Sequence, residues 1–247
     1  MAAHIIDGDK GGVGKSFIAR AFADNLINRK TSGEVIIIDC DPSTPDVVGN
    51  GGFEDTQVIN GVTVRGILSP VASQEAWFRT VDSAAKHVTA STDFVFSLPA
   101  GAGLYIDDTV LDLFGIIGPV MTIWAMGKDQ SSVDQLRDRV NRAPMAYERG
   151  LIALNEFHGL TARGTFDLWS NDNTRKQIVR DDGWREFRVP VLNAFVTKLT
   201  GNMPLHRAVE LSQKGELSPT VRVGVEAFRR AFAVELNHAL EVEHVRH

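Results

Sequence analysis

The chain has 247 residues, of which 43% are hydrophobic and 23% are charged, and its formal net charge at pH 7 is −5. These proportions are typical of globular proteins and exclude collagen-like and largely disordered chains. The single cysteine, Cys40, cannot form an intrachain disulfide or supply a Cys₄ metal site, so a reducing, cytoplasmic location is expected. The start of the chain shows no signal-peptide pattern, and the apolar stretch Leu111–Met126 is broken by Asp112 and Pro119, so no membrane span is expected.

Short β-branched runs alternate with longer amphipathic stretches, which is typical of a parallel sheet covered by helices. The predicted strands, in chain order, are His4–Asp7, Glu34–Asp41, Asp93–Leu98, Val120–Gly127, Gly150–Phe157 and Arg188–Phe195. Apolar residues at helical spacing predict helices over Phe17–Ile27, Val133–Val140 and Arg222–Glu241. We therefore predict a single α/β domain over residues 1–247, with a mostly parallel central sheet and helices on both faces.

The strongest signal lies between the first predicted strand and the first predicted helix, where the chain reads Asp9-Lys10-Gly11-Gly12-Val13-Gly14-Lys15-Ser16. Glycines let several backbone N–H groups point at one anion, and the start of the following helix adds a favourable dipole. In such a loop Lys15 would reach the β- and γ-phosphates of a nucleotide, and the Ser16 hydroxyl would bind Mg²⁺. Asp9 replaces the first glycine of the general phosphate-loop pattern, and an additional lysine, Lys10, precedes the glycines.

This variant loop resembles the deviant Walker A motif of the ParA/MinD superfamily of ATPases. The resemblance implies a three-layer P-loop NTPase fold that binds ATP or ADP with Mg²⁺. In that superfamily the additional lysine, here Lys10, reaches across an ATP-sandwiched dimer to the partner's phosphates, where it would neutralise charge that develops during phosphoryl transfer. The nucleotide-binding residues that the resemblance implies are Gly11, Gly12, Val13, Gly14, Lys15, Ser16 and Phe17.

The next predicted strand ends in Asp39-Cys40-Asp41-Pro42, which resembles the D-x-D-P motif of the same superfamily. Both acids would emerge at the carboxyl end of a parallel strand, where ligands bind in open α/β sheets. The resemblance places Asp39 near the hydration shell of Mg²⁺ and gives Asp41 the role of orienting the attacking water. The alternative is an Asp-Pro turn that closes a buried strand.

Two later strands match the superfamily less closely. Ser97 occupies the position before Pro99-Ala100-Gly101 at which the resemblance leads us to expect the Walker B aspartate, so we predict slow hydrolysis. Asn155 follows an apolar run and resembles an adenine-contacting asparagine, whose amide can both donate to and accept from the purine edge. A strand-ending turn is the alternative for Asn155.

The distribution of acidic and basic residues along the chain indicates where a DNA or membrane contact is expected. Acids exceed bases in the first 147 residues, so any DNA contact is expected from a local patch in the second half. One candidate is the basic cluster around Trp184, although interleaved acids suit a solvated helix face equally; its members are Arg175, Lys176, Arg180, Arg185 and Arg188. Acids offset the basic residues of Arg222–His247, so we expect this stretch to pack against the sheet and not to bind a membrane.

The resemblance therefore implies an ATP-dependent homodimeric switch that positions or segregates cargo, as in plasmid or chromosome partition or conjugative transfer. A stimulating adaptor protein and non-specific DNA are the candidate partners. Two alternatives stay open. One is a non-hydrolysing, ATP-dependent module that binds DNA or a partner, which Ser97 favours; the other is a P-loop metabolic ligase that acts on a small organic acid.

Overall fold

The computed structural model describes residues 1–8, 11–49, 51–142, 150–156, 166–181 and 183–241. The strands are β1 (Ala2–Asp7), β2 (Glu34–Asp39), β3 (Gln57–Ile59), β4 (Val62–Leu68), β5 (Thr92–Ser97), β6 (Val120–Met126), β7 (Gly150–Asn155) and β8 (Arg185–Val189). They form an eight-stranded sheet in the order β3-β4-β2-β5-β1-β6-β7-β8. Neighbouring strands are parallel except for β3, which is antiparallel to β4.

Helices cover both faces of this sheet. They are α1 (Lys15–Arg29), α2 (Gln74–Ala85), α3 (Asp108–Phe114), α4 (Gln130–Arg142), α5 (Asp167–Asn171), α6 (Asn173–Arg175), α7 (Ala194–Thr200), α8 (Leu205–Gln213) and α9 (Pro219–Glu241). A 3₁₀ turn spans Ala102–Tyr105, and a π-helical turn spans Lys176–Asp181. In the described part of the chain, no helix combines the length and apolar character needed to cross a bilayer.

The apolar side chains of β2 show how two core layers arise from one strand. Val35 and Ile37 point into the layer shared with α1, α7, α8 and α9, whereas Ile36 and Ile38 point into the layer shared with α2, α3 and α4. All four side chains are almost completely buried, as expected for a central parallel strand covered on both faces. The predicted three-layer α/β fold is confirmed.

The long terminal helix α9 packs into the core. Val225, Phe228 and Phe232 are buried in the same layer as α1, and the ring of Phe228 lies 5.3 Å from that of Phe17. Such a buried apolar stripe at helical spacing accounts for the periodicity that the sequence shows in this segment.

The prediction of a strand over Arg188–Phe195 is wrong. The strand β8 ends at Val189, and α7 already begins at Ala194. Pro190 follows the strand and has no N–H to donate to a sheet. Asn193 caps α7, because its side-chain Oδ1 accepts a hydrogen bond from the Phe195 N–H at 2.9 Å. Phe157, the predicted end of the preceding strand, lies outside the described residues.

The hairpin β3–β4 is absent from the sequence-based prediction. Its two-residue turn consists of Asn60 and Gly61, whose φ angles of 51° and 82° suit a type I′ turn between Ile59 and Val62. An Asn-Gly pair between apolar residues is the signal that predicts such a hairpin. β4 then extends the parallel sheet beside β2.

The first residue of β7, Gly150, has to be a glycine because the indole ring of Trp184 occupies the space that a β-carbon would need. A β-carbon built on Gly150 would lie 2.6 Å from two ring carbons of Trp184, and this ring is completely buried. We expect Gly150→Ala to lower the free energy of unfolding by about 1–3 kcal/mol, measured by denaturant unfolding. The smaller ring in Trp184→Phe clears this space, so the double variant should cost less than the sum of the two single variants. Additive costs would contradict the steric explanation.

Candidate functional site

A cavity of about 460 Å³ lies where the carboxyl ends of the central strands meet α1. Its walls come from the glycine-rich loop and the first turns of α1, from the loop after β2, from the ends of β5 and β7, and from α7 and the start of α8. Parallel strands place their carboxyl ends at one edge of the sheet, which is why residues far apart in the sequence meet there.

The glycine-rich loop curls at two glycines. Gly12 and Gly14 have φ angles of 85° and 95°, in the left-handed region that other residues rarely adopt. The residue before α1 is Gly14, which has no side chain that could cap the helix start. The backbone N–H groups and the dipole at the start of a helix favour an anion at this point. The predicted nucleotide-binding residues that line the cavity are Gly11, Gly12, Gly14, Lys15, Ser16 and Phe17.

Val13 does not line the cavity; its buried side chain instead attaches the phosphate loop to the core. Its side chain is only 4% exposed, and its carbonyl oxygen accepts a hydrogen bond from Asn155 Nδ2 at 3.1 Å. A β-carbon on Gly8 or on Gly127 would lie 3.2 or 3.1 Å from a Val13 methyl group. Both glycines thus allow Val13 to seat between β1 and β6, a role that the sequence analysis missed.

Asn155 lies at the end of β7, is 1% exposed and lines the cavity. Its hydrogen bond to the Val13 carbonyl connects the last residue of β7 to the phosphate loop, so Asn155 helps to fix the conformation of that loop. A contact between the Asn155 amide and a nucleotide base stays a prediction.

Asp41 reaches the cavity from the loop after β2. Its Oδ1 accepts hydrogen bonds from the backbone N–H groups of Ser43 at 2.8 Å and Thr44 at 3.0 Å, and its Oδ2 accepts one from Thr44 Oγ1 at 3.2 Å. This Asx turn fixes the direction in which the carboxylate points.

Asp39 is 1% exposed and is not among the residues that line the cavity. Its Oδ2 accepts hydrogen bonds from the N–H groups of Val47 and Val48 at 2.8 and 3.2 Å, and its Oδ1 accepts one from Asp41 N–H at 3.1 Å. Burial raises the pKa of Asp39, and these backbone donors oppose that shift. The carboxylate therefore holds the loop after β2, and its predicted place near the hydration shell of Mg²⁺ stays a prediction.

Ser97 ends β5 directly opposite Asp39 in β2, and it lines the cavity. It occupies the strand end at which the resemblance placed an aspartate, so the described site has an uncharged hydroxyl there. Lys10, the predicted trans-acting lysine, lies outside the described residues, as does Asp9.

The sequence analysis missed Arg20, Asp46 and Asn202, which also line the cavity. Arg20 is 7% exposed, and burial lowers its pKa to about 10, against the opposing effect of Asp46 and Asp39. An arginine on the core-facing side of the helix that follows a phosphate loop is the signal that could have identified this group.

The basic cluster around Trp184 is partly neutralised by acids. Arg175 donates from Nε to Glu186 Oε1 at 2.9 Å, and Arg188 donates to Glu156 Oε1 at 2.6 Å. Trp184 itself is completely buried. A DNA contact at this cluster stays a prediction.

The fold is that of the ParA/MinD ATPases. A ParA family ATPase from Chlorobium tepidum is similar to this chain with a TM-score of 0.56 at 18% identity, over 95% of this chain and 98% of that one. The septum site-determining protein MinD from Pyrococcus horikoshii, complexed with Mg-ADP, gives 0.51 at 15% identity over 99% of both chains. An ATP complex of an aspartate-to-alanine variant of McdA from Cyanothece gives 0.51 at 12% identity, over 94% of this chain and 96% of that one. No family model and no curated protein sequence matches the chain.

Proposed function

We propose that this protein is a slow ATPase of the ParA/MinD superfamily that binds Mg·ATP in the cavity at the start of α1. The observation that carries the proposal is the meeting, in one cavity, of the start of α1, a glycine loop with Lys15 and Ser16, and the Asp41 carboxylate. The shared fold supports it, and so do the nucleotides in two of the similar structures.

The described residues fit a magnesium nucleotide. Lys15 and the loop amides would bind the phosphates, and the Ser16 hydroxyl would bind the metal ion. Among the described residues no cluster of His, Cys, Asp and Glu could hold a metal alone. Mg²⁺ keeps several waters and is commonly held by one or two protein ligands together with substrate phosphates. When bound, Mg²⁺ neutralises charge on the phosphates, while Asp41 orients the attacking water by accepting its hydrogen bonds.

The wider role follows from the same resemblance. Two copies of the single domain 1–247 would pair around ATP, each extending Lys10 to the phosphates of the other, and hydrolysis would separate them. Such a cytoplasmic switch would position or segregate cargo, as in plasmid or chromosome partition or conjugative transfer. An adaptor protein would stimulate it, and non-specific DNA would serve as a surface.

One observation favours a second candidate, a non-hydrolysing module that binds DNA or a partner when ATP is bound. Ser97 places a neutral hydroxyl at the strand end where the superfamily has an acid, and a neutral group orients metal-bound water less strongly than a carboxylate does. This candidate shares the nucleotide site and the dimer but lacks turnover.

Calorimetric titration with Mg·ATP and Mg·ADP tests nucleotide binding. We expect binding to wild type and affinity about 10- to 100-fold weaker in Lys15→Ala, because one to two charge-assisted hydrogen bonds to phosphate are lost. Lys86→Ala, on an exposed lysine beyond the end of α2, is the matched control and should bind as wild type.

Light scattering of the same samples reports whether Mg·ATP, and not Mg·ADP, brings two copies together. Folded wild-type protein that binds neither nucleotide would overturn the proposal.

A further inference from the structure

The side chain of Arg20 joins two loops that are remote in sequence. It projects from α1, and its Nη1 donates hydrogen bonds to the carbonyl oxygens of Asp46 and Asn202, both at 3.0 Å. Asp46 belongs to the loop after β2, and Asn202 lies between α7 and α8. Because the donor is charged and buried, these hydrogen bonds are stronger than bonds between neutral groups.

A third hydrogen bond closes the arrangement. Asn202 Nδ2 donates to Asp46 Oδ1 at 2.8 Å, so Asp46 is held through both its carbonyl oxygen and its side chain. We refer to Arg20, Asp46 and Asn202 as the loop clamp. All three residues line the cavity that contains the phosphate loop and Asp41.

Within the described residues, the middle of the loop after β2 has few other attachments to the rest of the protein. Pro42, Ser43 and Thr44 are exposed, whereas Val47 and Val48 are buried and bonded to Asp39. The Asx turn of Asp41 is a local contact that orders the turn but does not attach it to the rest of the protein. The clamp at Asp46 supplies an attachment to α1 and to the connection between α7 and α8.

We propose that Arg20 is a positioning residue: through the loop clamp it holds the 41–48 loop so that Asp41 keeps its place in the cavity. Because Asn202 belongs to the clamp, the position of Asp41 also depends on the connection between α7 and α8. The effect on turnover rests on the proposed function, whereas the effect on loop order does not.

The geometry favours arginine at this position. One planar guanidinium nitrogen donates to two carbonyl oxygens from two different loops, and a guanidinium stays charged even when burial lowers its pKa. Lysine would keep a charge on a flexible stem without the fixed fork, so Arg20→Lys should restore only part of the effect.

Hydrogen exchange in nucleotide-free protein tests the clamp directly. We expect the buried backbone amides of Val47 and Val48, which are hydrogen-bonded to Asp39, to exchange at least about tenfold faster in Arg20→Met and in Asn202→Ala, because local opening needs less free energy once the clamp is broken. Asn202→Ala changes an exposed residue and removes only the side-chain bond to Asp46, so it tests the clamp even if Arg20→Met fails to fold. Arg29→Met, on an exposed arginine of the same helix, is the control and should exchange as wild type. Unchanged exchange in Asn202→Ala would overturn the clamp.

Kinetics of the same variants test the positioning role. We expect kcat for ATP hydrolysis to fall about tenfold in Arg20→Met, while the nucleotide Kd changes less than about threefold. A raised Kd with unchanged kcat would instead make Arg20 a ligand-binding residue and overturn the proposal, as would faster exchange with unchanged kcat. A wild-type protein without any turnover would count against the proposed ATPase alone, since the exchange result would still decide whether the clamp exists.

Discussion

Replacing Asp41 by asparagine should lower the rate of ATP hydrolysis by about 100-fold or more, because a carboxylate that accepts protons or hydrogen bonds from the attacking water contributes roughly 10²–10⁴-fold to such reactions. Asparagine keeps an Oδ1 that can accept from the N–H groups of Ser43 and Thr44, so the turn that holds residue 41 should persist. The variant therefore removes the charge at the water while leaving the loop in place.

Phosphate release measures this effect, and calorimetry provides its control. Nucleotide affinity in Asp41→Asn should stay close to that of wild type, since the phosphates are bound by the loop and Lys15. Asp41→Ala removes the turn as well, so its 41–48 loop should also exchange faster. Equal, near-zero rates in wild type and Asp41→Asn would eliminate the ATPase and leave the non-hydrolysing module.

Replacing Arg229 by methionine should lower the free energy of unfolding by about 3–5 kcal/mol, because it leaves a buried carboxylate without its counter-charge. Arg229 on α9 donates from Nε and Nη2 to the two carboxylate oxygens of Asp24 on α1, at 2.8 and 2.5 Å. Asp24 is 1% exposed and also accepts a hydrogen bond from Asn28 Nδ2 at 2.9 Å. Denaturant unfolding measures the loss, and Arg230→Met, on the exposed neighbouring residue, is the control.

The loss in Arg229→Met should depend on pH. Burial raises the pKa of Asp24, and Arg229 opposes this shift, so removing the arginine raises the pKa further. A carboxyl group with a raised pKa in the folded state keeps a proton that the unfolded chain releases, so stability falls as pH rises above the unfolded value of about 4. Acidification toward pH 4 should therefore reduce the difference between the variant and wild type. A pH-independent difference would show that lost packing, and not the unpaired charge, causes the destabilisation.

Local patterns predicted the parts of this structure that depend on nearby residues. The phosphate loop, the continuous apolar run of β2 and the cavity position of Asp41 all follow from short stretches whose residues act together. The Asn60-Gly61 turn had an equally local signal, which identifies the hairpin that the prediction omitted. The incorrect last part of the final predicted strand arose because Leu192 is apolar for a different reason, since it packs in the core just before α7 begins.

The parts that could not be predicted depend on pairs that are distant in the sequence. Arg20 and Asn202 are 182 positions apart, and Asp24 and Arg229 are 205 positions apart. No periodicity or motif links such pairs, because they meet only after the sheet and its helices have assembled. The three backbone hydrogen bonds of Asp39 also could not be predicted, because they depend on the path of the loop that follows β2; its metal role stays a prediction.

The place of β1 in the sheet governs the order in which the protein can assemble during synthesis. This strand leaves the ribosome before either of its neighbours, yet it lies between β5 and β6 and hydrogen-bonds to both. Its first neighbour, β5, exists only once residue 97 has been translated, so β1 waits unpaired while about 90 further residues emerge, at about 5–20 residues per second, and its second edge stays open until β6 ends at residue 126. During those seconds its unpaired backbone N–H and C=O groups and its apolar side chains are open to chaperones or to other nascent chains, and no complete pocket for ATP exists yet.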